Sequence, residues 1–95
     1  MEKKKTSIKD LFIIEENKIF LDDRGIFFES WNLNKFNSLS LSETFNQDNI
    51  SISKKNVLRG LHLQLKPFSQ LKLVQVLQGK VLDVIVDLRK ESKTF

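Results

Sequence analysis

The segment from Leu71 to Leu88 constrains the fold more than any other part of the chain. Val, Ile and Leu dominate it on both sides of Gln78-Gly79, in two runs that are each short enough for a strand. Branched apolar residues favour the pleated surface of a sheet, and a glycine between two such runs is typical of a tight turn. The sequence therefore predicts an antiparallel hairpin with a two-residue turn at Gln78-Gly79.

Other segments have the same short-strand character. In the run Phe45 to Ser53, Ile50 and Ile52 alternate with polar residues, which is typical of a half-buried strand. Further strand candidates are Leu11 to Ile14, Ile19 to Leu21, Ile26 to Trp31 and Val57 to Leu63. The only helical candidate, Leu33 to Leu39, is long enough for one or two turns. Short strands at regular spacing predict an all-β sandwich or barrel.

The composition is that of one soluble domain. The chain has 95 residues, of which 40% are hydrophobic and 29% charged, so we expect a single modest core rather than disorder. It has no cysteine, which excludes disulfides, thiolate catalysis and cysteine-based zinc sites. No apolar run reaches membrane-spanning length, and the basic start is not followed by an apolar signal core. We therefore expect a cytoplasmic protein that does not contact membranes.

The net charge of +4 favours an anionic partner. Lys3, Lys4 and Lys5 supply part of that excess and are expected to form a solvated N-terminal tail. There is no basic stripe interleaved with exposed aromatics and no common nucleic-acid-binding motif, so nucleic acid is not the expected partner. A phosphorylated small molecule would need only a few well-placed cations.

Two glycines stand where a β fold needs an unusual backbone. Gly25 follows Arg24 between two strand candidates, as expected for a turn. Gly60 instead interrupts the candidate strand Val57 to Leu63, and a glycine inside a strand indicates a bulge or a close backbone approach. A bulge would turn Arg59 and His62, which face opposite sides of a regular strand, toward one cavity.

Five groups of residues, in order along the chain, carry a family resemblance. They are Asp22-x-Arg24-Gly25-x-Phe27-x-Glu29; Gln47-x-Asn49-x-Ser51-x-Ser53; Val57-Leu58-Arg59-Gly60-Leu61-His62-Leu63-Gln64; Gln70-x-Lys72-Leu73-Val74; and Asp83-Val84-x-Val86-Asp87-Leu88-Arg89 with Ser92-x-Thr94-Phe95. From Asp22 onward the chain resembles the dTDP-4-dehydrorhamnose 3,5-epimerase family. Asn56 stands where that family often has glycine, but Asn tolerates the left-handed conformation that a turn requires.

The resemblance implies a fold and an activity. The fold would be a cupin jelly-roll β-sandwich, of which residues 1–95 form the N-terminal part, about the first half of a single domain. The activity would be epimerisation at C3 and C5 of dTDP-4-dehydro-6-deoxyglucose to dTDP-4-dehydrorhamnose, in dTDP-rhamnose biosynthesis, by an enzyme that is a homodimer at full length. The alternatives are a related 3- or 5-epimerase of another deoxysugar, and a catalytically silent nucleotide-sugar-binding remnant.

The resemblance also implies which residues are catalytic. Abstraction of a proton next to a ketone needs a base that titrates near neutrality, and His62 is the only histidine. Lys72 resembles the family's group that stabilises the enolate oxygen. With a two-residue turn at Gln78-Gly79, Val74 pairs with Asp83 and Lys72 with Ile85. Lys72 and Asp83 are then diagonal neighbours, so Asp83 would hold the ammonium in place and keep it charged.

The residues that resemble the family's substrate contacts are Arg24, Phe27, Glu29, Gln47, Asn49 and Arg59. Arginine suits the diphosphate because its planar fork matches phosphate oxygens. In the family Arg24 and Glu29 can serve the site of the neighbouring subunit. No cofactor is implied, and no metal is expected, because Gln64 stands where a second histidine would follow His62 in a metal-binding cupin.

Most of these residues also have a purely structural interpretation. A lone strand histidine is more often structural than catalytic, and Lys72 with Asp83 would otherwise be an ordinary cross-strand ion pair. Arg59 would be a surface charge, and Phe27, Phe45 and Phe68 are expected in the core. The chain contains no tyrosine, whereas the family's proton-donating tyrosine lies in its second half. We therefore expect that these 95 residues alone do not turn over substrate.

Overall fold

The computed structural model describes all 95 residues, and its regular structure is almost entirely β. Four short strands form two separate two-stranded antiparallel sheets, β1 with β2 and β3 with β4, and one short helix follows them. No helix is both long and apolar enough to cross a membrane. The elements are β1 (Glu2–Lys5), β2 (Phe12–Glu15), β3 (Ile19–Asp22), β4 (Gly25–Phe28) and α1 (Leu33–Ser38).

The β1–β2 hairpin is held at both of its ends. Near the open end, Lys4 Nζ lies 2.6 Å from the carboxylate of Glu15, its diagonal neighbour across the sheet. In the loop, Thr6 Oγ1 accepts the backbone N–H of Ile8 at 3.2 Å and donates to the carbonyl of Leu11 at 3.0 Å. Together with the backbone hydrogen bond from the Leu11 N–H to the Ile8 carbonyl at 3.2 Å, they replace the ladder where the chain turns.

The β3–β4 hairpin forms where the sequence predicts a turn at Gly25. Residues 23 and 24 make the two-residue turn, and Gly25 has a φ of 129°, which side-chain-bearing residues rarely adopt. Phe20 and Phe27 are directly opposite each other, with ring centroids 6.4 Å apart. All eight strand residues are nevertheless exposed, and Phe27 is 71% exposed. The prediction that Phe27 is a core residue is wrong in this structure, because nothing covers either face of this hairpin.

Helix α1 carries the buried aromatic centre of the chain, within the predicted range of 33–39. Its N-cap is Asn32, whose side chain accepts the backbone N–H of Lys35 at 3.1 Å. Phe36 is only 3% exposed and packs beside Trp31 and, edge to face, Phe45, at centroid distances of 6.3 and 6.4 Å. Phe45 is half-buried there, so its predicted contribution to the core is met in part.

The C-terminal segment is fastened by one buried carboxylate. The side chain of Asp87 is 2% exposed and accepts hydrogen bonds from Ser92 Oγ at 2.5 Å, Thr94 Oγ1 at 2.6 Å and Arg89 Nε at 2.8 Å. Arg89 in turn donates to Asp10 Oδ2 at 3.1 Å and to the backbone carbonyl of Lys9 at 2.8 Å. Residues 85–95 therefore belong to the same compact unit as residues 1–46.

Residues 47–84 form a second unit, whose structure is irregular, unlike that of the first unit. They contain no helix or strand, and every one of them is exposed. The predicted strands in Phe45 to Ser53 and Val57 to Leu63 and the predicted Leu71 to Leu88 hairpin are therefore not formed. Phe68, predicted in the core, is 75% exposed. An isolated pair of strands is marginal in water, and these segments have no further sheet to cover their apolar side.

Candidate functional site

The predicted site residues are divided between the two units. Arg24, Phe27 and Glu29 lie in the unit formed by residues 1–46 and 85–95. The residues in the unit formed by residues 47–84 are Gln47, Asn49, Arg59, His62, Lys72 and Asp83.

Arg24 stands at the tip of the β3–β4 hairpin and is paired with Asp22. Its Nη2 and Nε lie 2.6 and 3.1 Å from Asp22 Oδ2, and its backbone N–H donates to Oδ1 at 2.9 Å. These hydrogen bonds lower the pKa of Asp22 and raise that of Arg24. The Arg24 side chain is still 90% exposed, so its outer edge is free to meet an anion. Sequence reasoning missed Asp22 as its partner, although the Asp-x-Arg spacing across a two-residue turn was the available signal.

An open depression of about 400 Å³ adjoins this pair on the β3–β4 hairpin. Phe20, Ile26 and Phe27 are its apolar lining residues, and Asp22 and Arg24 its charged ones. An apolar wall beside the Asp22–Arg24 ion pair suits a ligand that has both an apolar group and a polar or charged group. Phe27 and Arg24 therefore line the same depression, and substrate contact by either residue stays a prediction.

Glu29 is engaged by the helix that follows it. Its Oε2 lies 2.5 Å from Lys35 Nζ, and its Oε1 accepts from Asn32 Nδ2 at 2.8 Å. These contacts, with Lys35 first, lower the pKa of Glu29, while Glu29 raises the pKa of Lys35. Lys35 also lies 3.6 Å from Glu16 Oε2, a buried oxygen without a hydrogen-bond partner. Glu29 is thus held as an ionised carboxylate whose position depends on the start of α1.

In the second unit, His62 lies in an irregular backbone. Gly60 has a φ of 113°, a conformation that favours glycine, but the strand in which it was predicted to form a bulge is absent. His62 is exposed, and so is Arg59, whose Nε donates to Ser53 Oγ at 3.0 Å. Upstream, Asn56 adopts a φ of 65° in a turn, which confirms the prediction that a turn forms there with Asn in the left-handed conformation.

Gln47 and Asn49 contact each other, as alternate residues of an extended segment can. Gln47 Nε2 donates to Asn49 Oδ1 at 3.2 Å, and both side chains are exposed. The contact leaves the Asn49 amide nitrogen and the Gln47 carbonyl oxygen with no protein partner. The two side chains therefore present one donor and one acceptor group to solvent, a combination suited to the edge of a nucleobase.

Lys72 and Asp83 are not brought together as predicted. The hairpin that would make them diagonal neighbours is not formed, and none of the seven ion pairs of the chain joins them. The physical reason is that their proximity depended entirely on strand pairing across Gln78-Gly79. Gly79 does adopt a φ of 88° within a bend, so a change of chain direction is present there without the ladder.

The most strongly perturbed acid of the chain was not among the predicted site residues. Hydrogen bonds from Arg89, Ser92 and Thr94 hold the pKa of Asp87 far below its usual range. Asp87 and Arg89 repeat the Asp-x-Arg spacing of Asp22 and Arg24, which was the signal available in the sequence. All of its bonds are internal to the unit, so Asp87 is a structural carboxylate. No group of three or more His, Cys, Asp or Glu side chains could hold a metal ion.

Comparison with known proteins gives matches to one family. The description of the matching family model is dTDP-4-dehydrorhamnose 3,5-epimerase, and the match extends over residues 5–95. A dTDP-4-dehydrorhamnose 3,5-epimerase of Salmonella typhimurium is 55% identical over 92 residues, which are 96% of this chain and 50% of the relative. Enzymes of the same name from Escherichia coli K12 and Methanothermobacter thermautotrophicus are each 48% identical over 96% of this chain, and 49% and 48% of their own lengths. No solved structure matches the chain.

The β-rich architecture, with its two antiparallel hairpins, fits part of a cupin-type sugar-nucleotide isomerase fold. The chain belongs to the dTDP-4-dehydrorhamnose 3,5-epimerase family. It spans about half the length of the curated relatives that it matches, and it covers their N-terminal half.

Proposed function

We propose that this chain supplies the proton-abstracting half of a dTDP-4-dehydrorhamnose 3,5-epimerase site, which is completed by the C-terminal half of the family domain. The observation that carries the proposal is the family match over residues 5–95, which includes the segment with His62. The substrate would be dTDP-4-dehydro-6-deoxyglucose, and the product dTDP-4-dehydrorhamnose.

The chemistry follows from the protons next to the C4 ketone. His62 removes the proton at C5, and in a second round the one at C3, and each C–H electron pair moves into the enolate. Lys72 stabilises the enolate oxygen with its positive charge. Return of a proton to the opposite face inverts the carbon, and this step needs an acid. The chain has no tyrosine, so the acid comes from the C-terminal half.

The position of Lys72 depends on that completion as well. Asp83 acts on Lys72 only if the segment Leu71 to Leu88 pairs as a hairpin, which the completed sheet would favour by covering its apolar side. The exposure of His62 and Lys72 supports the same view, because an active site must exclude water to hold such groups firmly.

Substrate binding is assigned to exposed polar groups of both units. Arg24 and Arg59 contact the diphosphate, and Gln47 and Asn49 contact the nucleotide. Phe27 and Glu29 act on the nucleotide side, and the completed enzyme is a homodimer in which Arg24 and Glu29 serve the neighbouring subunit. The exposed hairpin tip that carries Arg24 is suited to such a contact. The location would be cytoplasmic.

The test is a chimera in which residues 1–95 are joined to the C-terminal half of the Salmonella typhimurium relative. In D₂O, the chimera should exchange the C3 and C5 protons of the substrate for deuterium, measured by mass spectrometry. His62→Asn should reduce exchange about 10²- to 10⁴-fold and leave dTDP affinity unchanged, since the phosphate contacts lie elsewhere. Lys72→Ala should reduce it about 10²-fold, whereas the control Lys80→Ala, an exposed lysine of the same unit, should not.

The same assay separates the alternatives. Exchange at only one carbon would identify a single-position epimerase, and binding of dTDP without exchange would identify a silent remnant. Undiminished exchange in His62→Asn would overturn the assignment of the base. The 95-residue chain without its complement should give no product.

A further inference from the structure

Lys35, in helix α1, links a buried carboxylate to a half-exposed one. Its Nζ lies 3.6 Å from Glu16 Oε2 and 2.5 Å from Glu29 Oε2. The Glu16 side chain is 9% exposed and its Oε2 has no hydrogen-bond partner, whereas the Glu29 side chain is 39% exposed. A buried carboxylate oxygen without a hydrogen bond needs a cation beside it, because an uncompensated buried charge is costly. Glu16 therefore keeps the Lys35 ammonium in place beside Glu29.

Asn32 holds the other oxygen of Glu29. Its amide nitrogen donates to Glu29 Oε1 at 2.8 Å, while its amide oxygen accepts the backbone N–H of Lys35 at 3.1 Å and so caps α1. A turned amide would place its NH₂ group against that N–H, so the cap also fixes which group meets Glu29. The Glu29 carboxylate therefore cannot rotate without breaking its contact with Lys35 or with Asn32.

The Glu29 carboxylate still has room for a ligand. A carboxylate offers about four lone-pair positions, and the two protein contacts occupy one on each oxygen. Lys35 and Asn32 lower the pKa of Glu29, so the group is ionised at neutral pH and accepts hydrogen bonds without donating any. Its ligand must therefore offer an N–H or O–H group, and a nucleotide carries such groups on its base and its sugar.

We propose that Lys35 and Asn32 are positioning residues that strengthen nucleotide binding through Glu29, a role that rests on the proposed function of Glu29 as a nucleotide contact. An unrestrained glutamate side chain loses rotamer freedom when a ligand binds, and this loss weakens the complex. The first turn of α1 removes that cost before the nucleotide arrives. Because the reacting sugar carbons are remote from the nucleotide, the effect falls on KM and not on kcat.

The test measures dTDP affinity by isothermal titration calorimetry, and KM and kcat for the substrate, in the chimera described above. Lys35→Ala should weaken dTDP binding and raise KM about tenfold, with kcat changed less than about twofold. Lys35→Arg should restore most of the affinity, because a guanidinium can hold the same carboxylate. The control Lys4→Ala breaks a comparable ion pair of the same unit, 2.6 Å from Glu15 and similarly exposed, and should change neither constant.

A double-mutant cycle with Glu29→Gln separates positioning from simple charge attraction. If Lys35 acts through Glu29, Lys35→Ala should weaken binding less than about twofold further in the Glu29→Gln background. A full additional loss there would mean that Lys35 attracts the diphosphate directly, and that result would overturn the proposal.

Asn32→Ser tests the second contact without disturbing the helix. Serine is also a good N-cap, so α1 should persist, but the amide that donates to Glu29 is lost. We expect dTDP binding to weaken about fivefold with an unchanged urea midpoint. A role of Asn32 in the helix cap alone predicts the same affinity as the unaltered chimera.

Outcomes for this proposal and for the proposed function are distinct. If Glu29→Gln leaves dTDP affinity unchanged, the assignment of Glu29 as a nucleotide contact is wrong. If Glu29→Gln weakens binding but Lys35→Ala and Asn32→Ser do not, only the positioning role is wrong. If a variant unfolds the chimera, the carboxyl ¹³C signal of Glu29 is titrated in the 95-residue chain. There Lys35→Ala should raise the pKa of Glu29, and an unchanged pKa would overturn the proposal.

Discussion

The two units of this chain differ in what holds their residues in place. Residues 1–46 and 85–95 contain every strand, the helix and both buried residues, Phe36 and Asp87, whereas residues 47–84 contain none of these. The strands of the first unit pair across short loops, residues 6–11 in one hairpin and two residues in the other, so little chain entropy is lost in closing them.

The second unit has the apolar composition of strands without their pairing. Ile50, Ile52 and Val74 are all exposed, as are the neighbouring residues on either side. Strands of a jelly roll pair with partners that are distant in sequence, and this chain spans half the length of its relatives. The difference shows that the two local hairpins of this chain form from their own residues. The segment with the proposed base needs sheet partners that neighbouring residues do not supply.

The largest expected contrast comes from the same substitution in each unit. Phe36→Ala removes the 3%-exposed ring beside Trp31 and should cost about 3 kcal/mol in the free energy of unfolding, a large share of the stability of so small a unit. Phe68→Ala removes a 75%-exposed ring and should cost less than about 0.5 kcal/mol. The near-UV circular dichroism of Trp31, the only tryptophan, followed in urea measures both. Equal losses would show that the second unit has a core of its own.

A smaller contrast is expected in acid. The pKa of Asp87 is held low by Arg89, Ser92 and Thr94, whereas an unfolded Asp titrates at about 3.9. The stability that Asp87 contributes is therefore fully present above about pH 4 and is lost as the pH falls through and below that value.

Asp87→Asn should remove most of this acid dependence and lower the urea midpoint at pH 7. Asp83→Asn, an exposed acid without an ion pair in the second unit, should leave the profile unchanged. Urea midpoints between pH 2.5 and 7 measure the difference. A profile in which Asp83→Asn has the larger effect would reverse the roles assigned to the two units.

The smallest contrast lies within the first unit, between its two Asp-x-Arg pairs. In each pair the aspartate carboxylate accepts hydrogen bonds from the guanidinium and from the backbone N–H of the arginine two residues later. The Asp22 side chain is 52% exposed and that of Asp87 only 2%. Exposed pairs contribute little because water and salt screen them. Asp22→Asn should therefore hardly change the urea midpoint and should lose even that effect in 0.5 M NaCl. An effect as large as that of Asp87→Asn would refute burial as the cause of the difference.

Much of the first unit was predictable from the sequence because its signals are local. Gly25 between two apolar runs predicted the β3–β4 turn, and the run from residue 33 predicted α1, whose Asn32 cap only the structure shows. The left-handed conformation tolerated by Asn56 was also predicted. The motifs around Arg24, His62 and Lys72 predicted the family, which the match over residues 5–95 confirms.

What only the tertiary structure decided depends on contacts between distant residues. The ion pair expected between Lys72 and Asp83 is absent because the ladder that would fix its register is absent. Phe27 is exposed although its pattern is that of a core residue, since burial requires a covering sheet and not only an apolar side chain. Arg89, which Asp87 holds by a hydrogen bond, also bonds to Asp10, and these two residues are 79 positions apart in the sequence. Periodicity and motifs determine which residues can pair or react. The free energy of each strand pairing, however, depends on whether another part of the protein buries the apolar face of the paired strands.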